Sequence, residues 1–500
     1  MRTLGALVAA HAVEAGDGLA YLGGDQRLTW RQYHERADAL ARALVDAGVQ
    51  PGARVAVWLA DGPAVHVCYV AIERAGGVIV GIGPRAGRRE VEHLLATTGA
   101  SWLLAPPATE AGPDVVAIPV TETARPSGEG SLDGRAVGVE DLWLLNSTSG
   151  TTGLPKCVMH DQRRWFAFHD LAVEAGALTG DDVFLSALPA PFGFGIWTAH
   201  VTPTVLGAPC LVLPRFDADE ALALIEREQV SVLAAVSTQF IMLLNAPTLA
   251  DHDLTSLRVL FTGGEMVPER RASEFEDRTG CRVLQFYGSN ETGALSRTTL
   301  ADSRARRLRT AGAVIPEMHV RLLDDDGTDV TSEGGPGVAA CRGPLTCLGY
   351  YDDPTANAAL YTADGWMLTG DRCQIDAEGY LRVAGRASDF IIRGGKNISA
   401  AQVEDEVSTH PAVALAAAVA MPDPVFGERV CVYAELRPGA AELELADVRA
   451  HLEARGVGKE LWPERLVVVD ALPRASGGKV AKGALRDDVA RHVAADRSAP

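Results

Sequence analysis

The sequence predicts a large α/β N-terminal part followed by a small α+β C-terminal unit. Two observations carry this. Along residues 28–105, helix-period and strand-period apolar patterns alternate, which argues for parallel sheets covered by helices. After Arg386 the character changes to a short mixed pattern of about 110 residues, within the usual range for one domain. The total of 500 residues, at ~150 residues per domain, gives about three domains or one large and one small.

The elements follow in order. The stretch LTWRQYHERADALARALVDAGV has apolar residues at helical spacing, with Gly48 as a stop. RVAVWLA then reads as a buried strand, AVHVCYVAIERAGG as a helix and VIVGI as a strand, and REVEHLLATTGA with SWLLA repeats the pattern. Residues 107–136, rich in Pro, Gly, Glu and Ser, read as a surface excursion. HVRLLDDDGTDV reads as a hairpin around Asp326-Gly327. With EGGPGVAACRGP it suggests a β-rich subdomain at residues 310–350. The boundary falls at Arg386 to Asp389, giving domains 1–386 and 387–500.

Composition narrows the function classes. Net charge is −19, so nucleic acid and anionic lipid are not expected as bulk partners. A pocket can still be locally positive. None of the eight Cys forms a CxxC or lies at zinc-ligand spacing from a His, which predicts reduced, buried thiols in a cytoplasmic protein. MRTLGALVAAHAVEAG reads as an amphipathic first helix, because His11 and Glu14 interrupt its short apolar run. No apolar stretch of ~18 residues predicts a membrane span.

Four motifs carry chemistry. NSTSGTTGLPKCVMH (Asn146 to His160) does not fit GxxxxGK[ST], because Lys156 lacks a preceding Gly and a following Ser or Thr. Its glycines, hydroxyls and Lys156 still suit phosphate; a Gly-rich surface loop is the plain alternative. In LQFYGSNETG, Tyr287 is placed to stack on a base and Glu291 to hold magnesium. In DGWMLTGD, Asp371 is placed to accept from a ribose diol. In PRASGGKV, Lys479 sits on a Gly-rich loop able to reach a reacting carboxylate. Taken singly, each also reads as an ordinary turn or solvated loop.

Together and in this order, over nearly the whole chain, these motifs resemble the ANL superfamily of adenylate-forming enzymes, which includes acyl-CoA ligases, peptide-synthetase adenylation domains and luciferases. The resemblance implies two αβ sheets and a distorted β-barrel in the large domain, with a mobile C-terminal domain that rotates between two half-reactions. A carboxylate first attacks the α-phosphate of ATP, and a thiol of CoA or a carrier protein then takes the acyl group. It implies that Thr148, Ser149, Gly150, Thr151, Thr152, Gly153 and Lys156 grip phosphates. Gly264, Glu265, Phe286, Tyr287, Gly288, Asn290, Asp371 and Arg386 would line the nucleotide, and Glu291 would bind Mg2+. Lys479 would bridge carboxylate and α-phosphate electrostatically. Ser388, Gly394 and Gly395 would form the hinge and thiol tunnel. ATP, Mg2+ and CoA are the implied small molecules, with a carrier protein and a homodimer left open as partners.

Four positions depart from the family pattern. Asn290 replaces a Thr that contacts the α-phosphate, Ser388 replaces Asp or Lys, and Ala475 and Gly478 alter the lysine loop. They raise an alternative in which only thioesterification survives. For the acid, Phe192, Gly193, Phe194, Gly195 and Trp197 in LPAPFGFGIWTAH suggest an apolar pocket with room made by glycine, and Gly263, Gly288 and Gly293 would line it. No charge is present there to pair an α-ammonium, so a bulky apolar acid (aryl, alicyclic, polycyclic or medium-chain) is expected rather than an amino acid. The leading reading is an acyl-CoA ligase. The others are a stand-alone enzyme loading a carrier protein and a non-catalytic nucleotide-binding relative.

Overall fold

The computed structural model describes residues 2–110, 112–121, 128–135, 137–147, 155–264, 267–386, 390–393, 396–475 and 479–498. Two sheets dominate the large domain. The first has nine strands, in spatial order Ala313–Val314, Gly293–Arg297, Arg282–Ser289, Val259–Gly263, Val232–Ala234, Phe184–Ser186, Cys210–Val212, Leu19–Gly23 and Gln26–Thr29. From Arg282–Ser289 to Leu19–Gly23 neighbours run parallel. The second has six: Val116–Pro119, Trp102–Ala105, Arg54–Val57, Val78–Gly81, Leu144–Ser147 and Cys157–His160, antiparallel only at the last. Strands such as Val78–Gly81 are buried along their whole length, as expected where helices cover both faces.

The local sequence explains the helices. Trp30–Asp46 starts at a capping box in which the Thr29 hydroxyl accepts from the Gln32 N–H and the Gln32 side chain accepts from the Thr29 N–H. The helix Leu4–Glu14 buries Leu4 and Val8, so the apolar N-terminal run is a packed first helix.

Two expectations are corrected. The excursion at 107–136 contributes the edge strand Val116–Pro119; its mostly exposed residues gave no apolar alternation to read. The distorted barrel is, among the described residues, an open antiparallel sheet of His319–Leu323, Gly337–Arg342, Met367–Ile375 and Leu381–Arg386. It does not close because the last strand turns its free edge elsewhere. Ala311 N–H donates to the Leu381 carbonyl and Leu381 N–H to the Gly312 carbonyl, both at 2.8 Å. Those bonds join this sheet to the end of the nine-stranded one.

The C-terminal domain is α+β. Phe390–Arg393, Lys396–Ser399, Val413–Asp423, Gly427–Leu436 and Arg465–Val469 form its sheet. Val403, Val430 and Val448 fill one cluster, and Val419, Tyr433 and Val489 another. All eight cysteines are buried and unpaired with one another. No helix among the described residues is long and apolar enough to cross a membrane.

Candidate active site

Parallel sheets present their loops at the C-terminal strand ends, where ligands bind in open α/β folds. Here the strands Leu144–Ser147, Val259–Gly263 and Arg282–Ser289 reach such ends, the first and third of them carrying two of the four motifs. Gly263 and Gly264 close the second of these strands, and Gly264 takes φ +77°.

The third strand turns sharply through residues 289–292. Ser289 N–H donates to the Thr292 hydroxyl at 2.9 Å, and Ser289 Oγ donates to Glu291 Oε2 at 2.9 Å. The Glu291 carboxylate is thereby held by its own turn. Its other oxygen, Oε1, accepts from the Tyr350 hydroxyl at 2.9 Å. Burial first, then Glu291, pushes the Tyr350 phenol up, so it stays a donor.

Tyr350 arrives because the strand Cys157–His160 pairs on its outer side with residues 348–351: Leu348 N–H donates to the Met159 carbonyl and Tyr351 N–H to the Cys157 carbonyl. Lys156 Nζ then sits 4.9 Å from the Tyr350 ring centroid. Lys156 and Glu291 thus face one another across a tyrosine that sequence reading missed. The loop between strand and lysine, Thr148, Ser149, Gly150, Thr151, Thr152 and Gly153, lies outside the described residues. Its downstream end is tied by His93 Nε2 to the Pro155 carbonyl at 3.2 Å.

Tyr287 donates to Asp371 Oδ2 at 2.9 Å, so two residues 84 positions apart form one unit. Its phenol is raised by burial, then by Cys373 and Asp371. From the C-terminal domain, the Lys479 ammonium donates to the Gly264 carbonyl. A Cβ on Gly264 would stand 2.8 Å from Lys479 Nζ. Glu265, Ser388, Gly394, Gly395 and the Arg386 side chain lie outside the described residues.

Beside this rim, Phe192 begins the segment that continues as the short helix Gly193–Gly195 and the π-helix Ile196–Val201. Trp197 is only 2% exposed. Its ring lies 4.8 Å from Phe168, 5.2 Å from Phe194, 5.2 Å from Phe261 and 4.8 Å from Phe286, centroid to centroid. Trp197 is therefore a packed floor, with Phe194 stacked above it and part exposed. Glycine does not make room throughout this pocket. A Cβ on Gly195 would stand 2.0 Å from the Pro189 carbonyl oxygen, on Gly263 2.3 Å from that of Phe286, on Gly288 1.7 Å from that of Gly293, and on Gly293 2.3 Å from that of Leu345. These four are glycine so that backbones can touch. Gly193 differs: its Cβ would meet the Asn290 side chain, 2.8 Å away.

Asn290 is engaged across the two sheets. Its Nδ2 donates to Asn146 Oδ1 at 2.6 Å, and Asn146 Nδ2 donates to Asn290 Oδ1 at 3.0 Å. His160 and Arg164 stand behind them. None of Asn146, His160, Arg164 or Tyr350 was singled out from sequence. Their partners lie as far as 144 residues away, and no local pattern marks such pairs.

The assembled groups are one carboxylate, two ammonium groups, a phenol–carboxylate pair and an aromatic floor. They suit a ligand that is anionic at one end, polar at another and apolar at a third. Comparison with known proteins agrees. The AMP-binding enzyme family model matches residues 8–351, and its C-terminal domain model matches residues 402–479. The medium-chain fatty-acid–CoA ligase of Escherichia coli (strain K12) is 30% identical over 94% of this chain and 87% of its own. A salicylyl-CoA synthase / salicylate adenylyltransferase of a Streptomyces species is 33% identical over 98% of this chain and 94% of its own. The solved o-succinylbenzoate CoA synthetase of Bacillus subtilis, in complex with its acyl-adenylate intermediate, superposes with TM-score 0.83 at 25% identity, covering 97% of each chain. The chain belongs to the AMP-binding enzymes, within the ANL superfamily of adenylate-forming enzymes.

Proposed function

We propose that this chain is an AMP-forming acid–thiol ligase that activates an apolar carboxylic acid of aryl or comparable bulk with ATP and transfers the acyl group to CoA. The observation that carries the reading is the meeting of Lys479 with Gly264 at the strand end beside Tyr287 and Glu291. That a lysine from the C-terminal domain reaches this strand end supports a role for it in drawing two anionic substrates together. The names of the relatives support both the acid class and the thiol acceptor.

In the first step a carboxylate oxygen attacks the α-phosphorus of ATP and pyrophosphate leaves. Lys479 offsets the charge that builds as the two anions meet. Lys156 and the loop before it hold the departing phosphates. Tyr287 packs against the base, and Asp371, fixed by the tyrosine hydroxyl, accepts from the ribose. In the second step the thiolate attacks the acyl carbon and AMP leaves, with the C-terminal domain rotated.

Glu291 fits a magnesium ion. Its carboxylate is pre-oriented by Ser289 and Tyr350 and keeps lone pairs free. Among the described residues no three His, Cys, Asp or Glu side chains gather, and a single carboxylate plus substrate oxygens is the usual magnesium set. When bound, the ion would neutralise phosphate charge. The aromatic floor of Trp197, with no charged residue in Phe192–Trp197, favours an apolar acid over one bearing an ammonium.

The test is pyrophosphate release with ATP, magnesium and a panel of benzoates, cinnamates and medium-chain acids, with and without CoA or a pantetheinylated carrier protein. Acid-dependent release with CoA-dependent turnover is expected. Release that ignores the acid would overturn the reading. Turnover with the carrier alone would change the acceptor, and thioester made only from supplied acyl-adenylate would remove the first step.

A further inference from the structure

The contact of Lys479 with Gly264 does not stand alone between the two domains. Arg270 lies in the first turn of the helix Glu269–Thr279, the element that follows Gly264. Its Nη1 donates to the Thr409 carbonyl of the C-terminal domain at 3.0 Å. Thr409 sits just past the helix Ala400–Val407, and its hydroxyl is committed within its own domain. That hydroxyl donates to the Glu406 carbonyl at 2.6 Å, so His451 Nε2 must donate to it, at 2.7 Å. A guanidinium at a helix C-terminus meets the partial negative charge of the last carbonyls. A hydrogen bond from a charged donor is also among the stronger kinds.

The same helix is tied to the chain that carries Lys479. Its Glu404 accepts from Lys482 Nζ at 2.7 Å and from the Ala418 N–H at 2.7 Å. Lys482 begins the helix Lys482–Ser498, shortly after Lys479. The lysine segment folds back on itself, with the Ala475 N–H donating to the Lys479 carbonyl at 2.7 Å. One helix thus bears both the point that Arg270 holds and the anchor of the segment leading from Lys479.

Two further features belong to this interface. Leu415 packs against the N-terminal cluster that contains Phe240 and Leu243 and against the C-terminal cluster that contains Val419 and Tyr433. A bulge interrupts its strand between Val413 and Leu415, a usual device for re-aiming a side chain. Burial, then Glu406 and Glu269, push the Asp405 carboxyl up to about 6, and Arg270 and Arg455 oppose the rise. Glu269 and Asp405 therefore approach one another from different domains, and Arg270 offsets the repulsion at Asp405.

We infer that Arg270, with Leu415 beside it, is a positioning residue of the first half-reaction: by gripping the end of the helix Ala400–Val407 it holds the C-terminal domain where Lys479 reaches Gly264. The second half-reaction uses the rotated domain, in which this grip is released. Arg270 therefore acts through Lys479 on adenylation and has no part in thioester formation. This rests on the proposed ligase activity.

The test measures the two half-reactions separately in wild type and in R270A, R270E, R270K and L415A. One assay follows acid-dependent pyrophosphate release; the other follows thioester formed from supplied acyl-adenylate and CoA. R270A loses one hydrogen bond from a charged donor, and its adenylation should fall ~3- to 10-fold. R270E adds a carboxylate beside Glu269 and Asp405 and should fall further. R270K keeps the charge and should restore most of the loss. L415A should show the same split to a smaller degree. Thioester formation should match or exceed the wild-type rate in all four. Damage to the fold lowers both half-reactions together, and only a positioning role separates them. Equal losses in the two half-reactions, or R270K no better than R270A, overturns the inference. Should R270E or L415A fail to fold, R270A against R270K decides it. A silent wild type would bring down the ligase reading itself, whereas an active wild type with R270E unimpaired in adenylation brings down only this inference.

Discussion

The strand Leu144–Ser147 carries a buried polar cluster near each end, and the two differ in how their histidines are partnered. Near its C-terminal end, Asn146 belongs to a set of hydrogen-bonded side chains in which both nitrogens of His160 are partnered. Just before its start, Trp143 stacks on His200, with ring centroids 5.9 Å apart, and His200 Nδ1 meets His66 Nδ1 at 3.1 Å. His66 stacks in turn on Tyr21 at 4.2 Å. In this second cluster His66 Nε2, His200 Nε2 and Trp143 Nε1 have no hydrogen-bond partner among the described residues. Both clusters hold neutral histidine in the core. Only the first spends its donors and acceptors in an order that leads to the candidate site. A buried polar group therefore points to function when its bonds run toward a ligand-facing atom. Left unpartnered, it weakens the fold.

Variants that break this contrast should separate activity from stability. The largest effect is expected from Lys479→Ala, which removes the charge meeting the site from outside both clusters. Adenylation should fall by two or more orders of magnitude, as for loss of a preorganised electrostatic group. Thioester formation from supplied acyl-adenylate and the thermal midpoint should be nearly unchanged. Pyrophosphate release by the variant at the wild-type rate would remove the role assigned to Lys479.

Trp197→Ala should destabilise by about 3–5 kcal/mol in urea unfolding, the usual loss for a large buried aromatic, and should shift acid preference toward bulkier rings. Unchanged preference would place the acid elsewhere. Arg164→Leu comes next. It strips the donor from His160 and the Asn290 carbonyl, at about 1–3 kcal/mol for groups left unsatisfied, and should lower adenylation as well. Stability loss without activity loss would put both clusters in the same structural class.

The last prediction concerns pH and leaves activity untouched. Burial pushes His200 down to about 3 and His66 well below its usual value, with His200 adding to the latter shift. Below pH ~6.5 the unfolded chain binds protons that the folded chain refuses. Stability therefore falls as pH drops through the window from ~6.5 to about 3, by up to ~1.4 kcal/mol per pH unit for each histidine. The double variant His66→Leu/His200→Leu removes both partners at once. It should shallow this acid limb in urea midpoints at pH 5 and 7, with adenylation at pH 7.5 unchanged. A limb as steep as wild type would mean that other groups set it.

Much of the architecture was legible locally. Apolar runs such as RVAVWLA and VIVGI, and the Gly48 stop, announce buried strands and a helix end through patterns a few residues long. The motifs likewise marked Glu291, Asp371 and Lys479, although Asp371 lies within the strand Met367–Ile375. What escaped were contacts whose partners are far apart. Tyr350 joins Lys156 to Glu291 through strand pairing on the outer edge of Cys157–His160. The edge strand Val116–Pro119 escaped because its exposed residues carry no apolar alternation.

By itself, then, the sequence determined the α/β class, the apolar character of Phe192 to Trp197 and the four motifs, because each depends on short-range spacing. It also marked Asn290 as an exception. Only the tertiary structure decided how that residue is held. The orientation of one amide follows from an arginine and a histidine on the six-stranded sheet's side of the site, brought to it by the packing of two sheets. Hydrogen-bond direction is a property of the assembled cluster, and no single segment of the chain contains it.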